Sequence, residues 1–227
     1  MSTKVKNTAV AGKPSLSSPG LLILDMDSTL IQCECIDEIA DKVGLKPQVS
    51  ALNDKAMQGE IDFAESLLAC MTLLAGTEEE ILSDVYKQKA VLTDGAEILI
   101  KNMQLNGWKV GLVSGGFTYF TERLKERLNL DFAVGNQLEI INGKLTGQLI
   151  GEIVTSQTKA DCLVEKAALY KVSLSQTLAV GDGANDLAML KKAGLGIAFC
   201  AKPIVRAQVK AAINEGGLDQ VLQHLGP

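Results

Sequence analysis

Three short apolar runs in this sequence end abruptly in polar, glycine-rich clusters, and that recurrence limits the fold more than any other feature. Leu21–Leu24 stops at Asp25, Trp108–Val113 stops at Ser114-Gly115-Gly116, and Thr177–Val180 stops at Gly181-Asp182-Gly183. A continuous apolar run of this length reads as a strand buried on both faces. Helical patterns follow the second and third runs, over Phe117–Leu128 and Asp186–Ala193. Strand, polar loop and helix in repetition specify an α/β chain with a doubly wound parallel sheet, Rossmann-like in outline. Ligands of such sheets sit beyond the carboxyl ends of the strands, where these three clusters converge.

Residues 33–90 have a different character. Ile36, Ile39, Ala40 and Val43 fall at helical spacing, as do Phe63, Leu67, Met71 and Leu74. Thr77 followed by Glu80 resembles a capping box opening a further helix. The organisation expected is a flexible N-terminal arm over 1–20, an α/β core over 21–32 and 91–227, and a small helical domain over 33–90 inserted after the first strand. Asn142-Gly143 between two strand-like runs, 138–141 and 144–150, signals a two-residue hairpin.

Charge and cysteine usage narrow the partners. The net charge is −5 and no block of Lys or Arg stands out, so nucleic acid is not expected, because backbone binding needs clustered cations. No apolar stretch is long enough to span a bilayer or serve as a signal peptide. Five scattered cysteines in such a chain suit reduced thiols in the cytoplasm.

Asp25 and Asp27 stand two apart directly after a buried strand, a spacing that lets both carboxylates address one ligand. One can attack phosphorus as a nucleophile while the other protonates the departing alkoxide and then activates water. The alternative is that Asp27 only caps a following helix, which accounts for one aspartate but not the pair. Gly181-Asp182-Gly183-Ala184-Asn185-Asp186 places two carboxylates and an amide on a tight loop that suits a hard cation such as Mg2+, or else an Asx-rich turn. Ser114-Gly115-Gly116, leading into a helix, can hold an anion on free N–H groups, or be a simple turn. Lys159, near the start of an amphipathic helix carrying Cys162, Val164 and Leu169, can reach phosphate oxygens, or be a solvated surface charge. His224, the single histidine, acquires no role.

In this order, Asp25-Met26-Asp27-Ser28-Thr29-Leu30, Ser114-Gly115-Gly116-Phe117, Lys159 and Gly181-Asp182-Gly183-Ala184-Asn185-Asp186 resemble the haloacid dehalogenase superfamily and, within it, the phosphoserine phosphatases. The resemblance implies that Asp25 is the nucleophile and Asp27 the general acid/base. It implies that Asp25, the carbonyl of Asp27 and Asp182 hold Mg2+, with Asp186 supporting the metal. Ser114, Gly115, Lys159 and Asn185 would then bind the phosphoryl group, and the helical insert would be a cap closing over a small phosphorylated metabolite. Glu34 would meet the substrate ammonium, with Met57 and Phe63 lining the pocket. The implied activity is hydrolysis of O-phosphoserine to serine and phosphate in serine biosynthesis, through an aspartyl-phosphate intermediate. One position departs: the family's carboxylate-binding arginine, seven residues after Phe63, is Cys70, and no arginine precedes Arg123. A thiol does not replace a guanidinium's paired, charge-assisted bonds, which makes another small phosphate ester, or phosphotransfer, the alternative.

A phosphorylated receiver domain, a dinucleotide-binding protein and a non-catalytic ligand binder are further readings. The paired aspartates and the insert weigh against the first, the absence of a glycine fingerprint after the first strand against the second, and the full set of catalytic residues against the third.

Overall fold

A computed structural model describes residues 13–58 and 60–226. Its centre is a seven-stranded sheet of order β4-β3-β2-β1-β5-β6-β7. The strands are β1 (Leu21–Leu24), β2 (Lys109–Phe117), β3 (Phe132–Ile141), β4 (Lys144–Ile150), β5 (Thr177–Gly181), β6 (Leu195–Phe199) and β7 (Ala211–Ile213). All neighbours are parallel except β3 and β4, whose antiparallel hairpin turns on Asn142 and Gly143, both at positive φ (51° and 76°). That is the geometry a two-residue Asn-Gly loop favours.

Alternation within the strands divides the core. Leu22 and Leu24 join Val110, Leu112, Leu178 and Val180 in one apolar cluster, while Leu21 and Ile23 join Val113 and Ala179 in a second. Successive side chains of a strand point to opposite faces, so a run such as Leu-Leu-Ile-Leu requires cover on both sides.

Four helices lie between β1 and β2 before the core helix α5 (Ala96–Leu105): α1 (Cys35–Lys42), α2 (Lys46–Met57), α3 (Phe63–Leu73) and α4 (Glu80–Lys89). Cys35 and Ile39 of α1, Leu67 and Met71 of α3, and Leu82 and Val85 of α4 belong to the same apolar cluster as Leu22 and Leu24. The chain segments entering and leaving this region pair with each other. Ile31 bridges Leu92, Gln32 N–H donates to Val91 O, and Thr93 N–H donates to Leu30 O. The remaining helices are α6 (Thr118–Leu128), α7 (Ser156–Leu169), α8 (Leu187–Lys192) and α9 (Pro203–Arg206).

Two local expectations change. Strand β2 continues through Ser114-Gly115-Gly116 to Phe117, with a register shift against β3, so this cluster is irregular strand and α6 opens only at Thr118. No side chain caps α4, because Glu79 rather than Thr77 occupies its N-cap position. The capping box instead opens α7, where Thr155 and Thr158 satisfy each other's backbone N–H groups. Residues 1–12, most of the expected arm, lie outside the described residues. Within 13–20, Ser15 N–H donates to Gln176 Oε1, and Leu16 O accepts from Trp108 Nε1. Among the described residues no helix is long and apolar enough to cross a membrane.

Candidate active site

The site lies where β1, β2 and β5 end side by side. Asp25 follows β1 with an extended backbone (φ −73°, ψ 164°), and its N–H donates to Val180 O of β5. Met26–Leu30 then makes a tight irregular turn in which Asp27 is extended and Ser28 is left-handed (φ 54°). A serine at that φ costs of the order of 1 kcal/mol, so surrounding bonds must hold it. Ser28 N–H donates to Cys33 O, and Ser28 Oγ donates to Glu34 Oε1 at 2.6 Å. Asp27 Oδ1 accepts the Cys35 N–H at 3.0 Å. Asp27 therefore aims its carboxylate at the first turn of α1 as well as at the cleft.

Lys159, on the first turns of α7, lies behind Asp25. Its Nζ donates to Asp25 Oδ1 at 2.6 Å and Asp186 Oδ1 at 2.8 Å, and the side chain has 0% exposure. The solvated-surface alternative for this lysine is thereby excluded. The face of α7 that packs inward carries Lys159, Ala160, Cys162, Leu163 and Ala167, whereas Val164 and Leu169 are exposed. Burial works against the lysine's charge, yet the carboxylates of Asp186 and Asp25 outweigh it and raise its pKa above the ordinary value.

Asp186 has both oxygens engaged, because Oδ2 accepts the N–H groups of Asp182 and Gly183 at 3.1 and 3.0 Å. Asp182 Oδ1 accepts from Thr29 Oγ1 at 3.2 Å. Asp25, Asp182 and Asp186 each bring a carboxylate oxygen within 4.8 Å of the others, all buried. Burial and mutual repulsion raise two of these carboxyls: Asp25 to about 7, mainly through desolvation and then Asp186, and Asp182 well above the usual range through desolvation, Asp186 and Asp25. Asp27 is raised as well, by burial and then by Glu34. One lysine does not balance this much acid, and hard oxygen donors at such spacing fit a divalent cation of the Mg2+ type.

A cleft opens over these groups. Asp25, Asp27, Asp182, Asn185, Ser114 and Gly115 line it from the sheet edge; Glu34, Asn53, Phe63 and Cys70 line it from the segment between β1 and β2. Asn185 Oδ1 is buried and has no hydrogen-bond partner. Two glycines are required by close approach. A Cβ on Gly115 would stand 2.5 Å from the Phe63 ring, and one on Gly116 would stand 2.7 Å from Asp27 Oδ2. Asn136 fixes this stretch, donating to Gly115 O at 2.7 Å and accepting the Val154 N–H at 2.8 Å just before α7.

The structure thus brings together ten of the eleven residues singled out from sequence: Asp25, Asp27, Glu34, Phe63, Ser114, Gly115, Asp182 and Asn185 along the cleft, with Lys159 and Asp186 buried behind it. Met57 ends α2, but its side chain lies outside what is described. Sequence reasoning missed Asn53, Ser66, Leu67 and Ile36 in the lining, and Ser28, Thr29 and Asn136 as supports. Ser66 and Leu67 were accessible to helical spacing, lying three and four positions after Phe63 on one face of α3. No local signal marks Asn53 or Asn136.

The haloacid dehalogenase-like hydrolase family model matches residues 22–191. A phosphoserine phosphatase of Vibrio cholerae serotype O1 is 50% identical over 209 residues, a span of 92% of this chain but 63% of that protein. The chain therefore covers less than two thirds of that relative's length, and it covers 50% of a Streptomyces coelicolor phosphoserine phosphatase. A solved phospho-aspartyl intermediate analogue of phosphoserine phosphatase superposes with a TM-score of 0.89 at 39% identity, covering 92% of this chain and all of the other. A substrate-bound phosphoserine phosphatase complex gives the same TM-score and identity over 92% of this chain and 99% of the other. With three quarters of its length matched by the family and its polar clusters on adjacent strand ends, the chain belongs to the haloacid dehalogenase-like hydrolases.

Proposed function

We propose that this chain is a Mg2+-dependent phosphomonoesterase that hydrolyses O-phosphoserine to serine and phosphate through an aspartyl-phosphate on Asp25. The observation that carries the reading is a buried carboxylate at the end of the central strand, lining a cleft and held 2.6 Å from a fully buried lysine. The names of the similar proteins support the substrate and the covalent intermediate.

Asp25 attacks phosphorus, the ester P–O bond breaks, and Asp27 supplies the proton that the serine alkoxide takes. Burial and Glu34 raise the Asp27 carboxyl, which keeps it protonated for that step. Water, deprotonated by Asp27, then attacks the phosphoryl group and frees Asp25. Ser114, Gly115, Lys159 and Asn185 bind the phosphoryl oxygens. Asp25, the Asp27 carbonyl and Asp182 would hold Mg2+, which supplies charge neutralisation when bound. Asp186 orients Lys159 and the loop after β5 in support of that site. Glu34 receives the substrate ammonium, and Phe63 walls the pocket. Residues 33–90 act as a cap over the core of 21–32 and 91–227, excluding bulk water. Reduced thiols and the metabolite substrate fit a cytoplasmic enzyme.

The test is phosphate release from O-phosphoserine with Mg2+, compared with Asp25→Asn and with chelator. Turnover that falls by about a thousandfold or more in the variant, and stops on chelation, is expected. Steady turnover by Asp25→Asn would remove the nucleophile assignment.

A further inference from the structure

The alcohol end of the cleft is charged on one side only. Glu34 lines it with both oxygens fixed, Oε1 by Ser28 Oγ at 2.6 Å and Oε2 by Asn53 Nδ2 at 3.2 Å. Each oxygen retains a lone pair for a further donor, so the group is a preset acceptor for an ammonium. Among the described residues no Lys, Arg or His lines the cleft. Lysines around the cleft point elsewhere: Lys46 and Lys89 pair with Glu38, Lys202 with Asp54, and Lys159 with Asp25 and Asp186, while Lys55 is exposed and does not line it.

Two neutral groups of this wall are committed as well. Ser66 Oγ donates its one proton to Leu52 O at 3.0 Å, and Cys70 Sγ points its thiol at Val49 O at 3.9 Å. Cys70 has 1% exposure and contributes an uncharged wall. A substrate carboxylate placed here loses water, meets no cation and feels the charge of Glu34, an uncompensated cost.

We infer that the cleft selects an ammonium and gains nothing from a carboxylate, so that the chain also hydrolyses aminoalkyl phosphates lacking a carboxylate, of the phosphoethanolamine class, at least as efficiently as phosphoserine. This rests on the phosphatase reading and uses the same chemistry. The ester P–O bond breaks as the bond to Asp25 forms, and water then releases phosphate, giving amino alcohol and phosphate with no redox change.

The experiment compares kcat/KM of the full chain with Mg2+ on phosphoethanolamine, O-phosphoserine, phosphoglycolate, which has a carboxylate and no amine, and p-nitrophenyl phosphate, which has neither. Phosphoethanolamine is expected to equal or exceed phosphoserine, with phosphoglycolate at least about tenfold below both. A preference for phosphoserine beyond about threefold overturns the inference, as does phosphoglycolate turnover on a par with phosphoethanolamine. Hydrolysis of p-nitrophenyl phosphate alone overturns it while leaving the phosphatase chemistry standing; silence on all four esters overturns both. In Glu34→Gln the ratio of phosphoethanolamine to p-nitrophenyl phosphate turnover falls by about tenfold, and in Cys70→Arg the ratio of phosphoserine to phosphoethanolamine rises by a similar factor. A ratio unmoved in soluble, folded Glu34→Gln contradicts the inference even if Cys70→Arg fails to fold.

Discussion

Replacing Lys159 by Met should unbalance the centre of the molecule in a way that depends on pH. The ammonium stands 2.6 Å from Asp25 and 2.8 Å from Asp186 with no exposed surface, so its loss leaves two facing carboxylates without their shared cation. Removing one partner of a buried ion pair costs about 3–5 kcal/mol, and Met fills similar volume, so little of that is cavity. Asp186 keeps the N–H groups of Asp182 and Gly183, which places the expected loss toward the lower end. Asp25 already has a carboxyl raised to about 7 with the lysine present, and it rises further without it. A folded-state pKa above the unfolded value of about 3.9 means that the folded form holds its proton more tightly. Relative to wild type, this part of the destabilisation is fully developed above the variant's folded pKa and fades as the pH falls through it toward the wild-type value of about 7. Urea unfolding of wild type and Lys159→Met in chelator, at several pH values, reads this directly. A loss under about 1 kcal/mol near pH 8, or one that does not shrink on acidification, would refute the argument. Adding Asp186→Asn should restore part of the stability, because the two sites share a partner.

Gly116→Ala places a methyl 2.7 Å from Asp27 Oδ2 and 2.8 Å from Met26 Cε, which displaces the carboxylate proposed as acid/base. Steady-state assays should show kcat reduced by about 10- to 100-fold with a smaller change in KM. Glu38 joins α1 to Lys46 of α2 and Lys89 of α4 at 2.8 and 2.9 Å. Burial acts to raise its carboxyl, but the two ammonium groups prevail and hold it below the usual range. Glu38→Gln should cost about 0.5–1 kcal/mol at neutral pH, a small figure because both lysines are more than a third exposed. That contribution is present above about pH 4.3 and disappears as the pH falls through the lower folded value, so thermal melts of the two proteins should converge in acid.

The parts of the site legible in sequence were those where an apolar strand run is cut by a polar residue. Asp25, Ser114 and Asp182 each follow such a run, and the sheet order sets their three strands side by side. Phe63 and Glu34 were legible through resemblance. What remained hidden depends on long-range partners. Lys159 was legible as a site residue only through resemblance, and its burial against Asp25 and Asp186 not at all, since that depends on α7 packing on the sheet. The capping of α7 by Thr155 and Thr158, rather than of α4 by Thr77, depends on where each helix starts, and propensity resolves helix starts poorly. Strand β2 outlasts its apolar residues because Asn136 holds Gly115 in line with β3, which nothing in residues 108–117 announces. The left-handed Ser28 is likewise unforeseeable, since its reason is a glutamate six residues away.

The central strand precedes in the sequence both of the strands it pairs with. Leu21 of β1 pairs with Lys109 on one side and Thr177 on the other, both far along the chain. During translation Leu21–Leu24 must wait, uncovered and adhesive, until β2 and then β5 leave the ribosome. Such distant pairings slow folding and prolong exposure of aggregation-prone segments. The proposed nucleophile, Asp25, is thus made well before its site is complete. A chain truncated before residue 177 would carry Asp25 on an unfinished edge strand, a target for chaperones and proteases rather than a partial catalyst.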